Sequence, residues 1–163
     1  MPNSTGPNPA REGHRYPPAE LYQVSREAVR EFAVAVKAGH RAHHDVEAAL
    51  ALGHRDLMAP PTFAVVVAQR AEAAVVEDPE AGIDFSRVVH ADERFTHHHP
   101  ILAGDTLSAQ ATLTRIRVMG AGAMVTTSVE ITAVQDGNDE PRATVTSSLL
   151  VRAGDDAEET EER

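Results

Sequence analysis

Hydrophobic residues in the first third of the chain recur at the spacing of an α-helix. Ser25 can cap a helix N-terminus, and one face of the predicted helix after it is formed by Val29, Phe32, Ala33 and Val36. Residues 37–39 end this helix, and a short second helix runs from a cap at Asp45 to a stop at Gly53. The pattern therefore predicts two helices before residue 54.

A longer and more apolar segment, residues 62–76, predicts a third helix. The β-branched run 65–67 is also compatible with a strand, but the length of the segment and the alanines that follow favour a helix. Helical spacing relates seven of its residues: Phe63, Val66, Val67, Arg70, Ala71, Ala74 and Val75. Since most other positions are alanine or valine, we expect this helix to be buried on several sides.

The second half of the chain predicts long β-strands separated by glycine-containing turns. In the stretch 107–118, Leu107, Ala109, Ala111 and Leu113 alternate with polar residues, which is typical of a strand with one buried face. The predicted strands are residues 88–96, 107–118, 124–134 and 143–152. Helices followed by an antiparallel meander indicate an α+β domain in which one face of the sheet covers a buried helix.

Composition and charge narrow the possible functions. The chain has 163 residues, which suits one domain, and it has no cysteine, which excludes disulfides, thiolate metal sites and a cysteine nucleophile. Its formal net charge of −10 argues against binding to nucleic acid or to an anionic membrane surface. No apolar stretch is long enough to span a membrane and no signal pattern is visible, so we expect a cytoplasmic protein.

Three regions are predicted along the chain. Residues 1–14 are rich in proline and have little to bury, which predicts a flexible arm. Residues 154–163 contain six acids and one arginine, so this tail carries half of the net charge and is expected to be disordered. Residues 15–153 form a single domain in this interpretation.

The domain resembles a known family. Its motifs are RYPP at 15–18, the helix at 29–36, LGH at 52–54, APPTF at 59–63, SRVVH at 86–90 and AGD at 103–105. It is similar to the MaoC-like dehydratases and R-specific enoyl hydratases, and more closely to the non-catalytic, acyl-chain-binding subunits of actinobacterial (3R)-hydroxyacyl-ACP dehydratases, with their FAS1-like dehydratase domain. The resemblance implies a single hot-dog domain, a long central helix wrapped by a curved antiparallel sheet.

The resemblance also locates candidate catalytic positions. Catalytic members carry an Asp-x-Asn-Pro-x-His motif whose Asp and His eliminate water from a 3-hydroxyacyl thioester. An ungapped match places the histidine at His43, the asparagine at His40 and the acid at Ala38. Alanine cannot exchange a proton. His43 is therefore the catalytic candidate that the resemblance retains, and His40 is a weaker substitute for the lost acid.

A second catalytic feature of the family is a His-Gly pair at the start of the central helix, where the glycine N–H polarises the thioester carbonyl. Here the pair falls on Pro60 and Pro61, and proline has no N–H. The N–H of Thr62 or Phe63 is the alternative donor, at a helix N-terminus. The resemblance implies an acyl channel beside the helix face of Phe63, Val66, Val67 and Arg70, although core packing also explains the valines.

The remaining candidate residues predict less chemistry. Adjacent residues of a strand point to opposite faces, so residues 97–99, three histidines, cannot all bind one metal ion. Without cysteine or an H-E-x-x-H motif, we predict no metal site and no cofactor. Asp105 is predicted to be a turn residue.

We expect from the resemblance a subunit that binds an acyl chain carried on acyl carrier protein or coenzyme A. It would pair with a second hot-dog chain, as a homodimer or a heterodimer. Two alternatives stay open: a self-sufficient dehydratase, hydratase or thioesterase that uses His43, and a non-enzymatic acyl-thioester-binding protein. Binding an acidic carrier protein would need a local basic patch from Arg15, Arg41, Arg87 or Arg94.

Overall fold

A central helix, α3 (Ala64–Val76), lies against one face of an antiparallel sheet in the computed structural model, which describes residues 6–120 and 122–153. A turn of 3₁₀-helix at Pro61–Phe63 leads into α3. Two shorter helices precede it, α1 (Arg26–Ala35) and α2 (Val46–Ala51). The helix predicted for residues 62–76 is thus confirmed, apart from the tighter first turn.

The sheet has five strands in the order β1-β3-β4-β5-β2, and every neighbouring pair is antiparallel. The strands are β1 (Tyr22–Gln23), β2 (Val88–His97), β3 (Thr106–Met119), β4 (Gly122–Ala133) and β5 (Glu140–Arg152). The four long strands confirm the predicted ones, whereas β1 was not predicted. A curled sheet around one long helix is the single hot-dog-like α+β domain expected from the sequence.

Alternation along the strands places aliphatic side chains between the sheet and α3. Cross-strand partners such as Ala111 and Val129, or Val129 and Val145, are all buried. They meet the buried face of α3, formed mainly by Ala64, Val67, Ala68, Ala71 and Val75. Fully burying a valine or leucine stabilises a fold by roughly 1.5–3 kcal/mol, so this layer holds the central helix in place.

The chain termini can be followed only in part. From Asn8 onward the predicted N-terminal arm contacts the domain: the Asn8 N–H donates to the Ala81 carbonyl at 2.9 Å and the Gly13 N–H to the Leu113 carbonyl at 2.7 Å. The flexibility assigned to residues 1–14 stays a prediction, and the acidic tail 154–163 lies outside the described residues. Within the described ranges, no helix has the length and apolar character needed to cross a membrane.

Candidate functional site

His43 lies in a 3₁₀ turn, Arg41–His43, and only 5% of it is exposed. Its Nδ1 lies 2.6 Å from the Met58 carbonyl oxygen. Because a carbonyl only accepts, Nδ1 carries the proton, and Nε2 of the neutral ring keeps a lone pair. Among the described residues, Nε2 has no hydrogen-bond partner.

His40 has a different local role. It is exposed, and its Nδ1 accepts the Ala42 N–H at 3.2 Å, so the side chain caps the turn that carries His43. The two rings lie 5.9 Å apart between centroids, edge to face. The structure therefore brings the two predicted histidines together, with His40 positioned as a cap for the His43 turn.

Ala38 closes helix α1 through its backbone. Lys37 has a positive φ of 57°, its N–H donates to Val34, and the Ala38 N–H donates to the Ala33 carbonyl at 2.8 Å. This is the Schellman arrangement that ends many helices. The Ala38 carbonyl in turn accepts from His44 Nε2 at 2.8 Å. At the position matched to the catalytic acid, the backbone thus serves structure while the side chain is a methyl group.

The start of the central helix holds the predicted thioester donors. The Phe63 N–H donates to the Pro60 carbonyl at 2.9 Å, so it is already used. The Thr62 N–H has no backbone partner among the described residues, and Thr62 is exposed. Pro60 and Pro61 supply no N–H. Of the two donors predicted from the sequence, Thr62 is the one whose N–H remains available.

The residues predicted to border an acyl channel occupy different depths. The Phe63 ring is fully buried and contacts Phe32 edge to face at 5.4 Å between centroids. Val67 is also buried in the core, whereas Val66 is half-buried. Arg70 is exposed, and its guanidinium lies 5.3 Å from the centre of the Tyr22 ring. The channel role of these four residues stays a prediction.

A surface cavity of about 210 Å³ opens beside the helix start. One wall is the segment from Met58 to Pro61, which also holds His43, and the other is the segment from His97 to Ile101. The walls are joined by two backbone hydrogen bonds, Ala59 N–H to the Ile101 carbonyl at 2.8 Å and Ala103 N–H to the Leu57 carbonyl at 2.9 Å. The lining is mostly apolar, with histidines on one side.

The three consecutive histidines make three separate contacts. His97 stacks on Phe95 with 6.2 Å between ring centroids. His98 Nε2 lies 3.1 Å from Thr144 Oγ1, and His99 Nδ1 lies 2.9 Å from the Pro141 carbonyl oxygen. The contacts of His98 and His99 join the cavity wall to the neighbouring strand β5, whereas His97 stacks within its own strand.

A buried ion cluster lies next to this wall. The side chains of Asp105 and Arg142 are 1% and 5% exposed, and Arg142 Nε donates to Asp105 Oδ2 at 2.9 Å. Arg55 and the Leu102 N–H also donate to this carboxylate. Burial disfavours the charged carboxylate, but these donors outweigh it and lower the pKa of Asp105.

Sequence reasoning only partly found this cluster. Asp105 was predicted to be a turn residue, and its N–H does close a turn on the Leu102 carbonyl at 3.1 Å. Its pairing with Arg142 was missed, because the two residues are 37 positions apart. The available signal was an arginine directly before the predicted strand 143–152.

Three of the four arginines considered for carrier binding already pair with acids. Arg15 contacts Glu130 at 2.8 Å, Arg41 contacts Asp45 at 2.8 Å and Arg87 contacts Asp84 at 3.2 Å. The structure thus distributes these arginines over separate ion pairs.

Comparisons with known proteins agree with this architecture. Residues 10–141 match the family model "FAS1-like, dehydratase domain region". A UPF0336 protein of Leifsonia xyli is 48% identical over 145 residues, covering 89% of this chain and 95% of the relative. A UPF0336 protein of Saccharopolyspora erythraea is 45% identical over 140 residues, covering 86% of this chain and 88% of the relative.

Solved structures show the same fold. A MaoC-like dehydratase superimposes with a TM-score of 0.79 at 34% identity, covering 90% of this chain and 43% of that longer chain. A chain of the HadBC (3R-hydroxyacyl-ACP dehydratase) complex of Mycobacterium tuberculosis matches with a TM-score of 0.72 at 34% identity. The match covers 86% of this chain and 96% of that chain. A double-hot-dog protein of the same species, 17% identical with a TM-score of 0.69, covers 89% of this chain and 40% of that protein, and shows the fold alone. The chain therefore belongs to the UPF0336 family and carries a FAS1-like dehydratase domain with the MaoC-like hot-dog fold.

Proposed function

We propose that this chain is the acyl-chain-binding subunit of a (3R)-hydroxyacyl thioester dehydratase and works beside a catalytic hot-dog chain. The observation that carries the proposal is which residues occupy two positions of the family's catalytic motifs. A lone catalyst needs an acid at residue 38 and an N–H donor at residue 61. This chain has an alanine that ends α1 and a proline that begins the central helix.

The expected loss of catalytic rate supports a binding role for this chain. Acid–base assistance is worth about 10²–10⁴-fold in rate, and an oxyanion donor is worth about 10²–10³-fold. A chain without the acid at residue 38 and without the N–H donor at residue 61 is therefore expected to be a much slower catalyst than a complete dehydratase. The partner would supply the aspartate, the histidine and the N–H donor.

The apolar cavity beside the helix start suits the thioester end of a substrate. Met58, Pro60, Pro61 and Ile101 give it an apolar lining, and the Thr62 N–H lies at the start of the same helix. A single backbone donor can hold a carbonyl oxygen in the ground state without the acid and base needed for elimination. The proposed acyl path continues along the central helix beside Phe63 and Val66.

Pairing with a second chain is supported by the unequal edges of the sheet. One edge strand, β1, has two residues, whereas the other, β2 (Val88–His97), has ten and pairs only with β5 among the described residues. Such a long open edge favours association unless it is covered. Phe85, just before β2, is 71% exposed. We propose that a second hot-dog chain covers this edge; HadBC, which shares the fold, is itself a complex.

The proposal is tested by assaying dehydration of a long-chain (3R)-hydroxyacyl thioester. The purified chain is compared alone and together with a MaoC-like hot-dog chain that carries Asp-x-Asn-Pro-x-His. We expect measurable turnover only with the partner, and a longer acyl chain should lower KM only when this chain is present. Equal activity with and without the partner would contradict the proposal.

A homodimeric dehydratase or hydratase is the second candidate, favoured by the geometry of His43. Its Nδ1–H is fixed by Met58 and Nε2 keeps a lone pair, which is the arrangement of a general base. If this candidate is right, the lone chain turns over substrate and His43→Ala removes that turnover. His44→Ala is the matched control, since His44 Nε2 already contacts the Ala38 carbonyl.

A further inference from the structure

A row of polar side chains crosses the otherwise apolar inner face of the sheet. Thr127 of β4 lies opposite Ser147 of β5, and Ser147 lies opposite Glu93 of β2. Thr127 and Ser147 are fully buried. From the central helix, the buried Glu72 reaches the same row and accepts the Thr127 hydroxyl at 2.7 Å. Two carboxylates therefore lie at the two ends of this polar row, Glu72 beside Thr127 and Glu93 beside Ser147 at the open edge of the sheet.

Glu93 is the outer member of this carboxylate pair. Its side chain is 21% exposed, and its only hydrogen bond among the described residues is a long one of 3.5 Å with Ser147 Oγ. His90 Nδ1 lies 3.6 Å away. Burial and the charge of Glu72 raise the pKa of Glu93. No arginine or lysine of the described chain forms an ion pair with either carboxylate.

The register of β2 fixes which side chains share the face of Glu93. Glu93, Phe95 and His97 lie opposite Ser147, Val145 and Ala143, which are buried against the helix layer. A register shift between His90 and Asp92 brings His90 and Val88 to the same face. The helix-facing side chains of β2 are thus Val88, His90, Glu93, Phe95 and His97. The opposite face presents Val89, Asp92, Arg94 and Thr96.

This division limits how two copies of the chain could pair through β2. In a two-fold symmetric side-by-side pair, the contact is isologous and both helix-bearing faces lie on the same side of the joined sheet. Across the joined strands Glu93 would therefore face only the helix-facing side chains of the other copy's β2, and none of these is an arginine or lysine. The register that joins Asp92 to Arg94 of a second copy places Glu93 directly opposite Glu93.

We propose that Glu93, backed by Glu72, selects the partner at this edge: a hot-dog chain whose edge strand presents an arginine or lysine to the two carboxylates, and not a second copy of this chain. The inference rests on the proposed pairing through β2 and adds the chemistry of the partner. Covering the edge removes the remaining water from Glu93, so the carboxylate then needs a cation. Like charges placed opposite each other suppress the wrong pairing.

The test is self-association of the purified full chain, measured by sedimentation equilibrium near pH 8. Glu93→Gln keeps the shape of the side chain and removes its charge, and we expect it to lower the homodimer dissociation constant by about tenfold or more. Glu72→Gln should act in the same direction. Asp92→Asn is the matched control, because it removes the same charge from the other face of β2 and should not strengthen self-association.

Two results would overturn the inference. One is a dissociation constant for Glu93→Gln within about twofold of the wild type. The other is an equal gain from Asp92→Asn, which would show an effect of net charge. Thermal melting checks that each variant is folded. Because the readout is association, a failed dehydratase assay would leave this result intact, and the two proposals can fail separately.

Discussion

Two acids of the domain, the buried Asp105 and the partly buried Glu93, have opposite electrostatic surroundings. Asp105 is held by Arg142, by Arg55 and by a backbone N–H, and its pKa is lowered. Glu93 shares its site with another acid, has no strong base beside it among the described residues, and its pKa is raised. Burial disfavours the charge at both sites, and only the first site compensates for it.

This difference in pairing indicates that the two acidic sites have different functions. Asp105 finds its cationic partners within the chain. Its carboxylate also accepts the Leu102 N–H and so stabilises the turn at Leu102, which pairs with Met58 beside the cavity. The Glu93 site lies at the open edge of the sheet and lacks a cation, which is what a site completed by another chain would look like. Substitutions should therefore have unlike effects at the two places.

The largest effect is expected from Asp105→Asn. It leaves Arg142 buried with one fewer anionic partner, and breaking a buried ion pair costs about 3–5 kcal/mol of unfolding free energy. Urea unfolding measures the loss. The matched control is Glu140→Gln, since Glu140 also contacts Arg142 but its side chain is 41% exposed. If both variants lose the same stability, burial is not what distinguishes the Asp105 pair.

An intermediate effect is expected at a third carboxylate, Asp78. Tyr16 donates its hydroxyl to Asp78 Oδ2 at 2.8 Å, and Arg11 contacts the same atom at 2.6 Å. A hydrogen bond to a charged group contributes about 1.5–3 kcal/mol, so Tyr16→Phe should lower the unfolding free energy by that amount. Tyr22→Phe, which removes no hydrogen bond found in the described residues, is the control.

The same contact makes a spectroscopic prediction. Burial and the charge of Asp78 raise the pKa of Tyr16 to about 12. Because the chain has two tyrosines, ultraviolet titration of Tyr22→Phe reports Tyr16 alone. The phenol's contribution to stability is complete below pH about 10 and is lost as the pH rises through about 12. Ionisation near pH 10 in the folded protein would show that the contact is absent.

The smallest effect, and the one of opposite sign, is expected from Glu93→Gln. A carboxyl whose pKa is raised on folding stabilises the protein below its unfolded pKa, and this contribution is lost as the pH rises through the folded value. The variant should thus gain stability over the wild type at neutral pH, by up to about 1 kcal/mol, and less in mild acid. For Asp105, whose pKa is lowered, stability is lost as the pH falls. Urea titrations at several pH values compare the two.

Local signals predicted most of the fold. Ser25 Oγ accepts the Ala28 N–H at 3.0 Å, and Asp45 Oδ1 accepts the Glu47 N–H at 3.0 Å, so both predicted helix caps are confirmed. The alternation of Leu107, Ala109, Ala111 and Leu113 predicted the correct buried face for the first part of β3, before the register shift between Leu113 and Arg115. Strand β1 was missed because its two residues carry no period and owe their form to pairing with β3.

The candidate site was less predictable because its contacts join distant residues. The hydrogen bond from His43 to Met58 and the one from Thr127 to Glu72 span 15 and 55 positions. The local sequence pattern does not indicate which acid will form an ion pair with an arginine. The sequence did show Glu72 as the single acid within residues 64–76, and an acid in a helix predicted to be buried merits a search for a polar partner.

One substitution most directly separates a binding subunit from a catalyst: His43→Ala in the purified complex with a catalytic hot-dog chain. If this chain binds and its partner catalyses, kcat of the complex stays within about twofold of the wild type, while alanine at the histidine of the partner's motif abolishes turnover. A loss of about 10²-fold or more from His43→Ala, with the complex still assembled, would contradict the binding role and make His43 the base.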